Sequence, residues 1–247
     1  SLPANFMSEH PFPNGEMRIR DEKLIGWPRT RAAIQSELAD YYELIAHMDM
    51  EIGRILAALK SSGNEQDTIV IFASDHGLAI GSHGLLGKQN PYEHSIRAPL
   101  IIAGPGMPRN KRSDALSYLL DIFPTTADLC GVSIPKEVEG MSLVPVIQGK
   151  SETHRPFVYN AYKSIQRAVV GPRYKLVLHS VNGVETKQLF DLQQDPSELK
   201  NIAGEGQAAK TIAEYQGAFE MLQAKFGDSC FGDRKAEKLA IKRLRAK

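Results

Sequence analysis

The run Thr68-Ile69-Val70-Ile71-Phe72-Ala73 constrains the fold more than any other stretch of this chain. It is continuous, apolar and rich in β-branched residues, which fits a strand buried on both faces, as in a parallel sheet flanked by helices. Directly before it, from Thr30 to about Ser62, apolar residues recur at helical spacing: Ile34, Leu38, Tyr41, Ile45, Met48, Ile52, Ile55 and Leu59. That stripe, ended by Gly63, predicts one long amphipathic helix. Ala98-Pro99-Leu100-Ile101-Ile102-Ala103, followed by Gly104-Pro105-Gly106, repeats the strand pattern, with Pro99 confined to its first residues. Residues 113–131 are predicted helical in two pieces broken around Pro124, with Gly131 as the stop. Cys130, inside that apolar run, reads as a small core hydrophobe.

After Gly149 the character changes. Pro156–Tyr162, Ile165–Val170, Tyr174–His179 and Gln188–Leu192 are predicted strands, separated by turn signals such as Gly171-Pro172 and Asn182-Gly183. A helix is predicted from about Ala208 to Phe226. Helix–strand alternation first and a strand meander second predict an α/β region over residues 1–150, then a small α+β subdomain over 151–247 with an antiparallel sheet. Residues 1–29, with Pro3, Pro11, Pro13, Gly15, Gly26 and Pro28, read as an ordered, irregular segment. The first residues have neither a basic start nor an apolar core, so they read as a surface loop entered in mid-protein rather than a signal peptide. The tail from Asp233 to Lys247 holds seven Lys/Arg against two acidic residues. It predicts a solvated terminal helix, with a basic binding arm as the alternative.

Composition excludes some functions. A formal net charge of +1 over 247 residues argues against a surface built throughout for nucleic acid or anionic membrane. No run of about eighteen apolar residues is present, so no membrane-spanning helix is expected. Cys130 and Cys230 make neither a disulfide framework nor a metal cluster.

Chemistry concentrates after the first strand. Phe72-Ala73-Ser74-Asp75-His76-Gly77 puts a carboxylate and an imidazole at the carboxyl end of that strand, where open α/β sheets bind ligands. Such a pair can supply oxygen and nitrogen ligands to a divalent ion, although an ordinary turn has the same composition. The next loop carries Gly77, Gly81, Gly84 and Gly87, so its backbone can approach an anion closely. It ends at Lys88, a mobile point charge suited to a tetrahedral oxyanion. A flexible surface loop with an exposed lysine is the alternative.

Taken in order, several pieces resemble the C-terminal signature of the sulfatase family. They are Phe72-Ala73-Ser74-Asp75-His76-Gly77, Gly81-Ser82-His83-Gly84-Leu85-Leu86-Gly87-Lys88, and Tyr92-Glu93-His94-Ser95-Ile96-Arg97-Ala98-Pro99-Leu100. The series continues in Asp121-Ile122-Phe123-Pro124-Thr125, Glu139-Gly140-Met141-Ser142-Leu143 and Arg173-Tyr174-Lys175-Leu176. It ends in Leu189-Phe190-Asp191-Leu192 and Asp195-Pro196-Ser197-Glu198 with Asn201. The resemblance implies the C-terminal part of an alkaline-phosphatase-like α/β sandwich followed by a smaller antiparallel sheet. It implies hydrolysis of sulfate esters on a sulfated small molecule or glycan, by a formylglycine- and calcium-dependent mechanism. Phosphate or phosphonate monoester hydrolysis is the alternative within the superfamily, and a non-catalytic module gripping an anionic glycan is the alternative outside enzymes.

By the same resemblance Asp75 and His76 match metal ligands, with histidine where other members place asparagine, and Lys88 matches the lysine that contacts sulfate. His83 either lines the pocket or is a structural histidine bonded to its own loop. Tyr92 and His94 are candidate substrate contacts. Glu93 and Arg97 read as an internal ion pair. A periplasmic, secreted or lysosomal setting is implied. The chain departs from the family in lacking a Cys/Ser-x-Pro-x-Arg nucleophile sequence, an N-terminal aspartate pair, a Lys-x-His and the Pro-His-x-Pro histidine expected just before Ser1. The isolated chain is therefore expected to be inactive, and a truncated or partial sequence is the simplest explanation.

Overall fold

The computed structural model describes residues 1–245. Irregular chain with a 3-10 turn at Asp21–Lys23 leads to helix α1, Arg31–Ser61. Thr30 caps α1 by accepting the Ala33 N–H at 3.2 Å, and Gly63, at φ +76°, turns the chain out of it. Strand β1, Val70–Ala73, follows, then the single-turn helix α2, Glu93–Ile96, and strand β2, Leu100–Ala103.

The expectation of a parallel sheet buried on both faces is corrected here. β1 and β2 pair antiparallel, Val70 opposite Ala103 and Ala73 opposite Leu100, and their residues are only partly buried or exposed. A continuous apolar run signals burial but not strand direction. The 74–99 connection holds no crossover helix to bring β2 back parallel, only a loop and α2.

The two-piece helix over 113–131 is also corrected. Residues 111–118 are irregular, a 3-10 turn spans Leu119–Asp121, and helix α3 runs Ile122–Leu129 without a break. Pro124 falls in the first turn of α3, where its missing N–H is no loss. Cys130 is exposed rather than in the core. It lies five residues beyond buried Thr125, about 140° around the helix from it.

Asp121 explains why two separate signature pieces belong together. Fully buried, it accepts N–H groups from Tyr118 and Met141, each at 2.8 Å, and pairs with Arg155 and His154. Thr125 adds a bond from the Leu143 N–H at 2.8 Å. Burial pushes the Asp121 carboxyl up, but Arg155 and the two backbone donors outweigh it and hold the group below the usual range. A short helix α4, Val144–Ile147, ends this part.

Strands β3 (Val158–Tyr162), β4 (Gln166–Val170), β5 (Tyr174–Val181) and β6 (Val184–Asp191) form an antiparallel meander in that order. The β5–β6 turn is Asn182-Gly183, both at positive φ, the geometry a two-residue hairpin requires. Helix α5, Ala209–Lys225, covers one face, packing Tyr215, Ala218, Phe219 and Leu222 on Tyr159, Val169, Leu176 and Leu189. On the other face Ala168, Val177 and Phe190 meet Ala79, Leu85 and Tyr92 from the glycine-rich loop and its continuation. β4 is consequently buried at every residue.

The N-terminal segment also joins this second face: Gln166 donates to Asn14 O at 2.8 Å, and Lys163 pairs with Glu16 at 2.7 Å. Helix α6, Arg234–Arg245, closes the described chain; Ala246 and Lys247 of the basic tail lie outside the described residues. No helix among them is long and apolar enough to cross a membrane.

Candidate active site

Asp75 and His76 sit in the turn leaving β1. The Asp75 carboxylate accepts the His76 N–H at 3.0 Å and lies 3.2 Å from His76 Nε2. His76 Nδ1 is 3.1 Å from Gly77 O, and Ser74 Oγ donates to His76 O at 2.9 Å. The Asp75 side chain is 78% exposed and that of His76 33%, so the pair stands open at the strand end with one carboxylate and one imidazole to offer. Among the described residues no group of three or more His, Cys, Asp or Glu could hold a metal ion. Tested against calcium, which takes six to eight oxygens, these residues fit as contributors of part of a shell and not as a site complete in themselves.

Gly77 shows why a glycine follows the pair. Its N–H donates to Ser95 O at 2.9 Å, and a Cβ there would stand 2.0 Å from His94 O. Only a bare backbone can lie this close to α2.

The glycine-rich loop is neither a flexible surface loop nor an open anion cradle. Residues 79–87 are buried. The N–H groups of Ala79, Ile80 and Gly81 pair with the carbonyls of Gly87, Leu86 and Leu85, as in a hairpin. The anion at its end is the protein's own Glu22, which accepts the Gly87 N–H at 2.8 Å and the Leu86 N–H at 3.1 Å. Arg29 pairs with Glu22 at 2.8 Å, and both side chains are buried. Gly81 and Gly84 serve tight turns, at φ +94° and +71°, and a Cβ on Gly84 would lie 2.5 Å from the Glu9 backbone.

Lys88 follows immediately and is half-buried. Its backbone N–H donates to the Gln89 side chain at 3.0 Å, and Gln89 donates in turn to Asp21 at 3.1 Å. The Gln89 and Arg20 bonds, with a smaller contribution from the charge of Lys88, hold the Asp21 carboxyl below its usual range. Adjacent residues Asp21 and Glu22 thus pin the segment that carries Lys88.

The side chains of the remaining sequence candidates are turned to the interior. His83 is buried at φ +52°, and its partners are not in its own loop. Nε2 lies 3.0 Å from Glu198 O, and Nδ1 lies 3.5 Å from the Asn5 amide. Tyr92 is fully buried, stacks on His83 with ring centroids 4.1 Å apart, and donates to Gln188 at 2.8 Å. Burial pushes its hydroxyl up. His94 keeps Nδ1 3.0 Å from Ser95 Oγ, while Nε2 is buried without a hydrogen-bond partner. Burial holds both histidines below the ordinary imidazole range. His83 and Tyr92 are therefore packed inside the core.

The expected Glu93–Arg97 pair is present but loose, at 3.9 Å with Arg97 70% exposed. Glu93 has a second, closer cation in Lys175, at 2.8 Å, which also pairs with Glu198 at 2.7 Å and donates to Pro91 O at 3.0 Å. Lys175 and Glu198 are buried, and Glu198 further accepts the Glu93 N–H at 2.7 Å. This group ties β5 and the Asp195–Glu198 turn to α2 and the candidate loop. Lys175 and Glu198 both fall inside the family-like pieces of the sequence, yet no role for either could be read there. The signal was a lysine within the apolar run Tyr174-Lys175-Leu176-Val177. Glu22 and Arg29 carried no such signal.

Two family descriptions match long parts of the chain: sulfatase over residues 4–132 and N-sulphoglucosamine sulphohydrolase, C-terminal, over residues 81–225. An arylsulfatase of Clostridium perfringens is 36% identical over 76% of this chain and 40% of its own length. An N-acetylglucosamine-6-O-sulfatase of Bacteroides thetaiotaomicron is 30% identical over 85% of this chain and 39% of its own. A solved structure of a putative sulfatase from Bacteroides thetaiotaomicron superposes with a TM-score of 0.81 at 27% identity, covering 92% of this chain and 52% of that one. The chain thus spans about two-fifths of the length of these two relatives. Together the ordered signature pieces, the fold they build and these matches show that the chain belongs to the sulfatase family.

Proposed function

We propose that this chain forms the C-terminal part of a sulfuric ester hydrolase, contributing two metal ligands and a sulfate-contacting lysine to its active site. The observation that carries the reading is the open Asp75–His76 pair at the end of β1, followed by Lys88 on a loop anchored from beneath by Asp21 and Glu22. A calcium ion, when bound, would neutralise charge on the sulfate oxygens. Asp75 would offer it carboxylate oxygen and His76 ring nitrogen. Lys88 is to hold its ammonium toward the oxyanion, and a preorganised cation of this kind favours charge that builds up in the transition state. The formylglycine implied by the resemblance has no matching sequence among these 247 residues, so the isolated chain is expected to turn over no sulfate ester. The related N-acetylglucosamine-6-O-sulfatase favours a sulfated sugar as substrate.

Kinetics on the longer enzyme that carries this segment test the reading, with an aryl sulfate and an aryl phosphonate monoester as competing substrates. Lys88→Ala is expected to lower turnover of the sulfate by about 10²–10³-fold, or about 3–4 kcal/mol. Lys88→Arg is expected to restore only part of it, since a planar fork does not reproduce a compact ammonium. Unchanged turnover in the alanine variant, or a preference for the phosphonate, overturns the proposal. On the isolated chain, calorimetric titration with calcium is expected to give weak binding that Asp75→Ala removes. A sub-micromolar site would mean that the shell is completed by residues other than those named.

A further inference from the structure

Helix α6 carries a stripe of charge that the proposed active site does not use. Asp233 caps the helix, accepting the Lys235 and Ala236 N–H groups at 2.8 and 3.0 Å, and the preceding Gly232 N–H ties it to the body by donating to Ser164 O at 2.7 Å. The acidic residue on the helix, Glu237, accepts the Ser164 hydroxyl at 2.8 Å and is thereby turned to the inner side. Ala236, Glu237 and Ala240 are the partly buried residues; Arg234, Lys235, Lys238 and Lys242 are exposed. None of these four forms an ion pair among the described residues.

Helical geometry makes the four one surface. At about 100° per residue they fall within an arc of about 100°, centred roughly opposite the inner face. From Arg234 to Lys242 the stripe runs about 12 Å, with cations about one turn apart. A row of exposed, uncompensated cations attracts a linear polyanion and gains from the counterions it releases.

Which polyanion follows from what else the helix presents. Leu239 and Ile241 are 49% and 43% exposed, but they lie about 160° apart around the helix. They flank the stripe on opposite sides, so there is no single outward apolar face to enter a lipid surface. No aromatic residue interrupts Arg234–Arg245 to stack on bases.

We infer that the exposed face of α6 is a binding site for a sulfated polysaccharide, separate from the hydrolytic centre and able to hold a polymeric substrate on the enzyme. The choice of a sulfated polymer rests on the sulfate-ester reading above; the stripe itself does not.

The test is fluorescence anisotropy of a labelled heparin oligosaccharide with the purified chain across a salt series. Neutralising Lys235, Lys238 and Lys242 together to alanine is expected to weaken binding at least tenfold at 50 mM salt. It should also flatten the slope of log K against log salt by about 2–3, by analogy with phosphate polymers. Replacing the same three by arginine should keep binding, and neither variant should shift the melting temperature, because the side chains are exposed. Binding unchanged in the alanine variant overturns the inference. So does equal, stripe-dependent binding of anionic lipid vesicles or single-stranded DNA. Hydrolysis plays no part in this measurement, so failure of the sulfate-ester reading would show separately, as loss of sulfate-ester preference in the kinetics.

Discussion

Helices α5 and α1 both carry apolar side chains at helical spacing. α5, 17 residues long, buries Tyr215, Ala218, Phe219 and Leu222 on the four-stranded sheet. α1, 31 residues long, buries Ile34 and Leu38 and leaves Tyr42, Leu44, Ile45, Met48, Met50, Ile55 and Leu56 exposed. The two sheets differ in the same way, with β4 buried throughout and β1–β2 half-covered. One region closes its core with its own residues. The other presents an apolar surface of the kind that is covered by a further protein layer or by association. Asp75 stands exposed in the turn leaving β1, whereas the glycine-rich loop that leads to Lys88 packs through Ala79 and Leu85 on the closed sheet.

The sharpest way to break this contrast is to remove a buried charge from the closed region. Lys175→Met keeps volume but removes the buried cation that Glu198 and Glu93 share. It is expected to cost about 3–5 kcal/mol in denaturant unfolding. The corresponding change on α1, Arg54→Met, removes an exposed pair with Glu51 and is expected to stay within about 0.5 kcal/mol. Similar losses at both positions would mean that the regions do not differ in how they hold charge.

Packing gives the same contrast without charge. Phe219→Ala is expected to cost about 3–5 kcal/mol, whereas Ile55→Ala, 68% exposed before the change, should stay within about 0.5 kcal/mol. Ile55→Lys should instead reduce concentration-dependent association in sedimentation. A chain that sediments as a monomer at high concentration would show that the exposed face of α1 is inert.

A smaller effect addresses the seam itself. His10, His83 and His179 are buried there, with His10 Nδ1 2.8 Å from His83 O and the ring of Phe12 between His10 and His179. Burial is the main cause that pushes His10 down to about 4 and His179 down to about 3. Both folded values lie below the unfolded value of 6.5, so the unfolded chain binds more protons in between, and stability rises with pH. It is fully present above about pH 6.5 and lost as pH falls toward 4, by about 2 kcal/mol per histidine at pH 5. Melting followed from pH 7 to 5 should show this loss, reduced in His179→Phe. A flat profile would mean that these rings are hydrated and titrate normally.

Much of the fold could be read from local pattern. The stripe from Ile34 to Leu59 gave α1, the turn pair Asn182-Gly183 gave the β5–β6 hairpin, and the strand-ending Asp75-His76-Gly77 marked the open turn. Such signals reside in residues a few positions apart, because helix and strand periods are set by the backbone. The tertiary structure alone decided which groups meet across long separations. β1 pairs antiparallel with β2, Glu22 closes the loop at Gly87, Lys175 reaches Glu93 from β5, and Tyr92 reaches Gln188. Cys130, on an apolar stretch, turned outward because the rotation of α3 carried it off the buried face. The physical reason is common to these cases. A buried charge or hydroxyl must find a partner wherever the packed layers bring one within reach, and no local periodicity encodes how distant layers come to lie against each other.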